Sequence, residues 1–185
     1  MVKTLLAASL LLLFTVPAMA QDDFPRVEMG FGYANLGLPA SSASDVQHNS
    51  GFAMHTNFSF TRALGIDNYT GYYSLGSGSN LFTNIFSGKL TYRSNKVAPY
   101  IVAGLGGAQV SIQQGGYYYS GGSSLATRLG GGVDYRFSDV MAFRVDLSKL
   151  QMHTGCATVS AAGACSGGWI GKMNIATSVV FTIMQ

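Results

Sequence analysis

The sequence predicts an all-β fold, an eight-stranded antiparallel up-and-down transmembrane β-barrel following a cleaved signal peptide. Three observations predict it. The first is strict alternation, clearest in the row Phe52, Met54, Thr56, Phe58 and Phe60 against Ala53, His55, Asn57 and Ser59. Period two puts each set on its own face of a strand, one greasy and one polar. The second is composition: 48% of residues are hydrophobic and only 10% charged, against about 25% charged in an average soluble domain. Yet after the leader no run approaches the roughly 18 apolar residues of a spanning helix, so the hydrophobicity is held in alternation. The third is connection length. Short links near Arg62-Ala63, Ser94–Ala98 and Ser138-Asp139 alternate with long ones at about 38–50, 74–81, 112–124 and 151–169, as in membrane barrels with short periplasmic turns and long outer loops.

The leader is residues 1–20. Lys3 supplies the basic start, Leu5 to Val16 the apolar run, and Ala18-Met19-Ala20 the small-x-small cleavage site before Gln21. The run is too short for an anchor helix. Residues 21–185 then form one domain, with no further domain expected after the barrel. Of eleven Lys and Arg one lies in the leader, and eight Asp and Glu nearly balance the rest, so there is no electrostatic footprint for nucleic acid.

The strands follow in order. The first, about 26–36, sets Val27, Met29, Phe31 and Tyr33 against Glu28, Gly30, Gly32 and Ala34. The second, about 51–60, carries the row above. The third, about 64–73, is read with Tyr69, Gly71 and Tyr73 outward and Asn68, Thr70 and Tyr72 inward, a bulge near Asp67 reconciling this with Leu64 and Ile66. The fourth, about 82–93, sets Phe82, Phe86, Leu90 and Tyr92 against Ser87, Lys89, Thr91 and Arg93. The fifth, about 99–111, sets Ile101, Ala103 and Leu105 against Gly104, Gly106 and Ala108. The sixth, about 125–137, alternates Leu125, Leu129, Val133, Tyr135 and Phe137 with Arg128, Gly130, Gly132, Asp134 and Arg136. The seventh, about 141–150, opposes Phe143, Val145 and Leu147 to Arg144, Asp146 and Ser148. The eighth, about 170–183, opposes Met173, Ile175, Val179 and Phe181 to Lys172, Asn174, Ala176 and Ser178. Aromatics mark both ends: Phe60, Tyr92, Tyr100, Tyr135 and Phe137 beside the short turns, and Tyr33, Phe52, Tyr73, Phe82 and Trp169 towards the long loops.

Energy decides which face meets lipid. Closure removes strand edges, whose unpaired groups cost several kcal/mol each in hydrocarbon. The polar face includes Glu28, Lys89, Arg128, Asp134, Arg136, Arg144, Asp146 and Lys172. Turned to lipid, each Lys or Arg would cost up to about 2–4 kcal/mol at the midplane. Turned inward, acids and bases can pair, so a mixed-sign lumen cluster with trapped water is expected. Eight strands leave a lumen that side chains can fill, which disfavours an open pore. A soluble lipocalin-like barrel would need the reverse arrangement.

Cys156 and Cys165 allow one pairing, and an exported chain meets an oxidising compartment, so a disulfide is expected. Its short loop would contribute about 2–3 kcal/mol in the chain-entropy view. No metal, cofactor or catalytic residue is predicted. Ser148, His153 and Glu28 could be imagined as a hydrolase triad acting on lipid A, and His48 with His153 as a metal pair. The lumen explains Glu28 more simply, and His153 fits a strand end. The loops are rich in Ser, Gly and Tyr. Leu75–Asn80 and Gln113–Gly122, with the run Tyr117–Tyr119, read as flexible segments available to a surface ligand.

Three stretches carry a resemblance: FPRVEMGFGYANLG, GKLTYRSNKVAPYIVAGLGGA and TRLGGGVDYRFSDVMAFRVDL. In order and spacing the chain resembles the outer-membrane β-barrel domain family of OmpA-like small barrels, most of all its acidobacterial branch. The resemblance implies a bacterial outer-membrane protein, surrounded by outer-membrane lipid and inserted by the barrel assembly machinery. Such barrels often end in an aromatic. Here the end reads Phe181-Thr182-Ile183-Met184-Gln185, with Ile183 in that place.

Overall fold

The structure, a computed structural model, describes residues 24–39, 46–114, 117–159 and 165–184. Of 38–39, 46–48, 113–114, 117–122, 154–159 and 165–167 it describes the backbone alone. The leader falls outside the described residues. Alternation along the chain produces eight strands: β1 (Val27–Pro39), β2 (Val46–Ser59), β3 (Leu64–Gly76), β4 (Ser79–Thr91), β5 (Val97–Gln114), β6 (Tyr117–Arg136), β7 (Met141–Val159) and β8 (Cys165–Met184). Each pairs antiparallel with the next, and β1 pairs with β8, as in Phe31↔Val179, so the barrel closes. No described helix is long and apolar enough to cross a membrane.

The two faces separate as the charge argument requires. Outside lie Phe58, Phe86, Leu105, Leu129, Leu147 and Ile175, all exposed. Inside lie Glu28, Lys89, Arg128, Asp134, Arg144 and Asp146, all buried. Exposed rings ring both ends: Phe60, Tyr92, Tyr135 and Phe137 by the short turns, and Tyr33, Phe52, Phe82 and Trp169 at the other.

Three expectations are corrected. The third strand is inverted. Tyr69 and Tyr73 are fully buried with Gly71 and Asp67 on the lumen face, while Tyr72 is exposed and Leu64 and Ile66 share its side. The ladder from Leu64↔Leu90 to Ser74↔Asn80 runs without a bulge near Asp67; the irregularity lies between Ser74 and Gly76. One uninterrupted alternation keeps the Asp67 carboxylate out of lipid, and both tyrosines follow its parity. Tyr100 likewise turns inward with Ala98 and Val102 instead of joining the girdle.

The long connections are also more ordered than expected. Leu75–Asn80 is a paired hairpin ending in Gly76↔Ser79. Its two central residues, Ser77 and Gly78, have φ of 50 and 76 degrees, the positive values a tight type I′ turn requires. The β5–β6 ladder runs on to Gln114↔Tyr117 and the β7–β8 ladder to Val159↔Cys165, whereas β6 and β7 part at Ala126↔Met152. β5 to β8 are therefore 18 to 20 residues long, well beyond the roughly 9–11 a bilayer needs. The excess forms two hairpins standing clear of the closed barrel. The side chains of Cys156 and Cys165 lie outside the described residues. Along the backbone Cys165 faces Val159, and Cys156 lies in the irregular stretch between Thr154 and Thr158.

Candidate functional site

The inward face builds three levels. At the short-turn end Glu28 accepts a hydrogen bond from Asn57 Nδ2 at 2.9 Å and lies 3.6 Å from Arg136 and 4.0 Å from Arg93. Arg93, just past the end of β4, donates to Ser59 Oγ at 2.8 Å and to the Arg62 carbonyl at 2.9 Å. Burial lowers its pKa and Glu28 opposes that, so the guanidinium stays charged. Below this level a mouth of about 580 Å³ opens between Phe24, Lys96, Arg136, Phe137 and Asp139.

The middle level is the charge network. Arg128 forks between two carboxylates, Nη1 to Asp67 Oδ2 at 2.8 Å and Nη2 to Asp146 Oδ2 at 2.6 Å. Arg144 grips Asp134 through Nε at 2.6 Å and Nη2 at 2.8 Å, and lies 3.6 Å from Asp67. Planar guanidinium forks match carboxylates in this two-point way. Lys89 Nζ lies 3.6 Å from Asp134. Three bases thus meet three acids, and the level is neutral overall. Tyrosines complete it. Tyr100 donates to Asp146 at 2.8 Å, and Arg128 stacks 4.5 Å over the Tyr69 ring. Tyr100 reaches Asp146 because residue 132 is glycine; a Cβ there would come within 2.6 Å of the Tyr100 hydroxyl. His55 lies 3.5 Å from Asp67 and edge-on to Tyr69.

The upper level is mainly apolar, with the polar side chains of Asn49, Thr83 and Lys172 buried beside it. Leu36, Leu81, Ile85 and Leu150 are buried among Ala34, Ala53, Ala108, Ala126 and Ala176, with Leu75, Val110 and Met152 packed against them. Tyr73 bridges the two regions: it hydrogen-bonds Tyr69 and donates to Asn174 Oδ1 at 2.8 Å, and Asn174 donates onward to Ser148 at 3.3 Å.

Of the cluster read from sequence, Lys89, Arg128, Asp134, Arg144 and Asp146 meet in the middle, while Glu28 and Arg136 meet at the base. Lys172 is buried in the lumen wall but forms no ion pair with either group among the described residues. It stands beside Leu150 in the ladder, at the apolar level, where no carboxylate shares the face. Asp67, Tyr69, Tyr73 and Tyr100 were missed. The imagined triad is dispersed: Ser148 and Glu28 are buried at different levels of the lumen, whereas His153 is exposed against Trp169. Among the described residues no group of acids, histidines and cysteines is placed to hold a metal.

The closed eight-strand barrel is the fold this chain shares with solved outer-membrane proteins. The family described as "Outer membrane protein beta-barrel domain" matches residues 6–173. The chain belongs to this family. It is a bacterial outer-membrane protein, and solved outer-membrane barrels share its fold. Neisserial surface protein A is 13% identical, with a TM-score of 0.64 over 85% of this chain and 96% of that one. Ail, the attachment invasion locus protein of Yersinia pestis, is 14% identical, with 0.53 over 85% and 99%. The outer membrane enzyme PagL is 13% identical, with 0.51 over 84% and 99%. At such identities the likeness is one of fold. Among curated proteins none matches the chain in sequence.

Proposed function

We propose that this outer-membrane barrel works through its projecting hairpins, as a structural and surface-interaction protein, and neither as a pore nor as an enzyme. The observation that carries this reading is the filled lumen. A neutral network of interlocked charges lies beneath a layer of Leu36, Leu81, Ile85 and Leu150, and ions crossing that layer would have to shed their water. The material left over for contact is outside: uncharged hairpins rich in Ser, Gly, Gln and Tyr, held on a rigid base. The dispersal of Ser148, His153 and Glu28 supports a non-enzymatic role.

The test replaces residues 111–120 and 155–167 by tight turns and compares binding of expressing cells to host-cell or abiotic surfaces. Loss of binding with retained heat-dependent gel mobility supports the reading; unchanged binding overturns it. Purified protein in planar bilayers is expected to show no ohmic conductance, and a steady pore would sink the filled-lumen argument. The same reading includes cleavage after Ala20, insertion by the barrel assembly machinery, and a Cys156–Cys165 disulfide in the second hairpin. Thiol reagents are expected to label the cysteines only after reduction.

A further inference from the structure

The wall facing lipid is not uniformly apolar. On β3 and β4, between the pair Tyr72 and Phe82 at one end and the pair Leu64 and Leu90 at the other, stand Thr70 and Asn84 in the row next to Tyr72 and Phe82 and Asn68 one row further along, all half-buried and outward-facing. They bond to one another. Asn68 Nδ2 donates to Asn84 Oδ1 at 3.3 Å, Asn84 Nδ2 donates to Thr70 Oγ1 at 2.8 Å and to Asn68 Oδ1 at 3.4 Å, and Thr70 Oγ1 donates to Asn68 Oδ1 at 3.4 Å.

A carboxamide has two N–H donors and two acceptor positions. Asn68 uses both acceptor positions and one N–H; Asn84 uses both N–H groups and one acceptor position. One donor on Asn68 and one acceptor position on Asn84 remain, facing a medium with no water to complete them. The wall is also low beside them. Gly107 is the ladder neighbour of Asn84, and a Cβ there would meet nothing nearer than 3.9 Å; Gly88 and Ala103 repeat this below Phe86. Small residues that permit close approach and amides that bond across are how spanning segments associate in lipid.

We infer that this face of β3 and β4 pairs with a second copy of the chain. The leftover groups are self-complementary. About a two-fold axis, Asn68 of each copy donates to Asn84 of the other, giving two equivalent bonds across an uncharged face.

The experiment uses full-length protein in phosphatidylcholine vesicles, with donor- and acceptor-labelled copies mixed at falling protein-to-lipid ratios. Energy transfer is expected to persist at dilutions where chance proximity contributes none. Asn68→Leu and Asn84→Leu each remove both bonds and are expected to weaken association on the order of tenfold. Both replace an amide by an apolar group on the lipid face, and heat-dependent gel mobility confirms that they fold. The decisive arm mixes the two variants: the N84L copy keeps Asn68 and the N68L copy keeps Asn84, so the mixed pair regains one bond. It is expected to associate more tightly than either variant with itself. Transfer at the chance level for the unmodified chain, or a mixed pair no tighter than the like pairs, overturns the inference.

Discussion

The lower and upper halves of the lumen solve one packing problem in opposite ways. Both are lined by the inward residues of the same eight strands. Below, Arg128, Arg144 and Lys89 interlock with Asp67, Asp134 and Asp146. Above, Leu36, Leu81, Ile85 and Leu150 pack as they would in a soluble core. The apolar half is forgiving, since aliphatic contacts add up without direction. The charged half is not, because each buried ion depends on partners placed from other strands. Arg128 on β6 meets Asp67 on β3, across the lumen and 61 residues away. The charged half therefore fixes which strands face each other, and the apolar half seals the passage.

The largest effect is expected from breaking the charged half at its hub. Arg128→Leu takes from Asp67 and Asp146 the guanidinium they share, leaving Asp67 its 3.6 Å contact with Arg144 and Asp146 the neutral donors Tyr100 and Ser148. It is expected to cost about 3–5 kcal/mol, the usual penalty when a buried charge loses its ionic partner. Urea unfolding in phospholipid vesicles measures it. A loss below about 1 kcal/mol would mean that the carboxylates are satisfied in some other way, and the contrast between the halves would fail.

Next comes the seal. Leu150→Ala is expected to cost about 2–5 kcal/mol as a cavity substitution in the same unfolding assay. Truncating Leu36, Leu81, Ile85 and Leu150 together sharpens the comparison. If the apolar half is the barrier, that variant conducts in planar bilayers whereas Arg128→Leu does not. Conductance in the arginine variant alone would assign the barrier to the charges instead.

A smaller effect is expected at the edge of the network. Tyr100→Phe removes one hydrogen bond to Asp146, which keeps Arg128 and Ser148. A bond to a charged acceptor contributes about 1.5–3 kcal/mol, and the retained partners place the loss at the low end. Equal losses for Tyr100→Phe and Arg128→Leu would show the network to be one unit without a hub.

How far these halves could be read from sequence follows from the same contrast. Arg128, Asp134, Arg144 and Asp146 are assigned inward by charge alone, since no other face can hold them. Tyr69, Tyr73 and Tyr100 were misread because a tyrosine suits a lipid interface and a polar lumen equally well. The signal that settles β3 was present. Asp67 shares parity with both tyrosines, and the carboxylate should have fixed the face without recourse to a bulge. The partnership across the lumen was not legible, because alternation gives a residue's face and says nothing of what stands opposite. The projecting hairpins were read as loops because hydrophobic alternation fades where a strand leaves lipid, while backbone pairing continues in water.

The smallest effect is the sharpest test of the hub. Lys89 lies in the charged half, and its Nζ makes no hydrogen bond to any described residue. Its ion-pair partner, Asp134, is already held at 2.6 and 2.8 Å by Arg144. Lys89 also stands 4.2 Å over the Tyr100 ring, and the attraction there acts on a charge already taken out of water. Lys89→Met keeps the length of the side chain and removes a desolvated charge whose partner stays satisfied. The change is expected to fall within about 1 kcal/mol of zero, with either sign allowed, since apolar replacement of a buried ion is often neutral or stabilising. A loss of the size expected for Arg128→Leu would make the count of charges, and not their two-point geometry, the source of stability in the lower lumen.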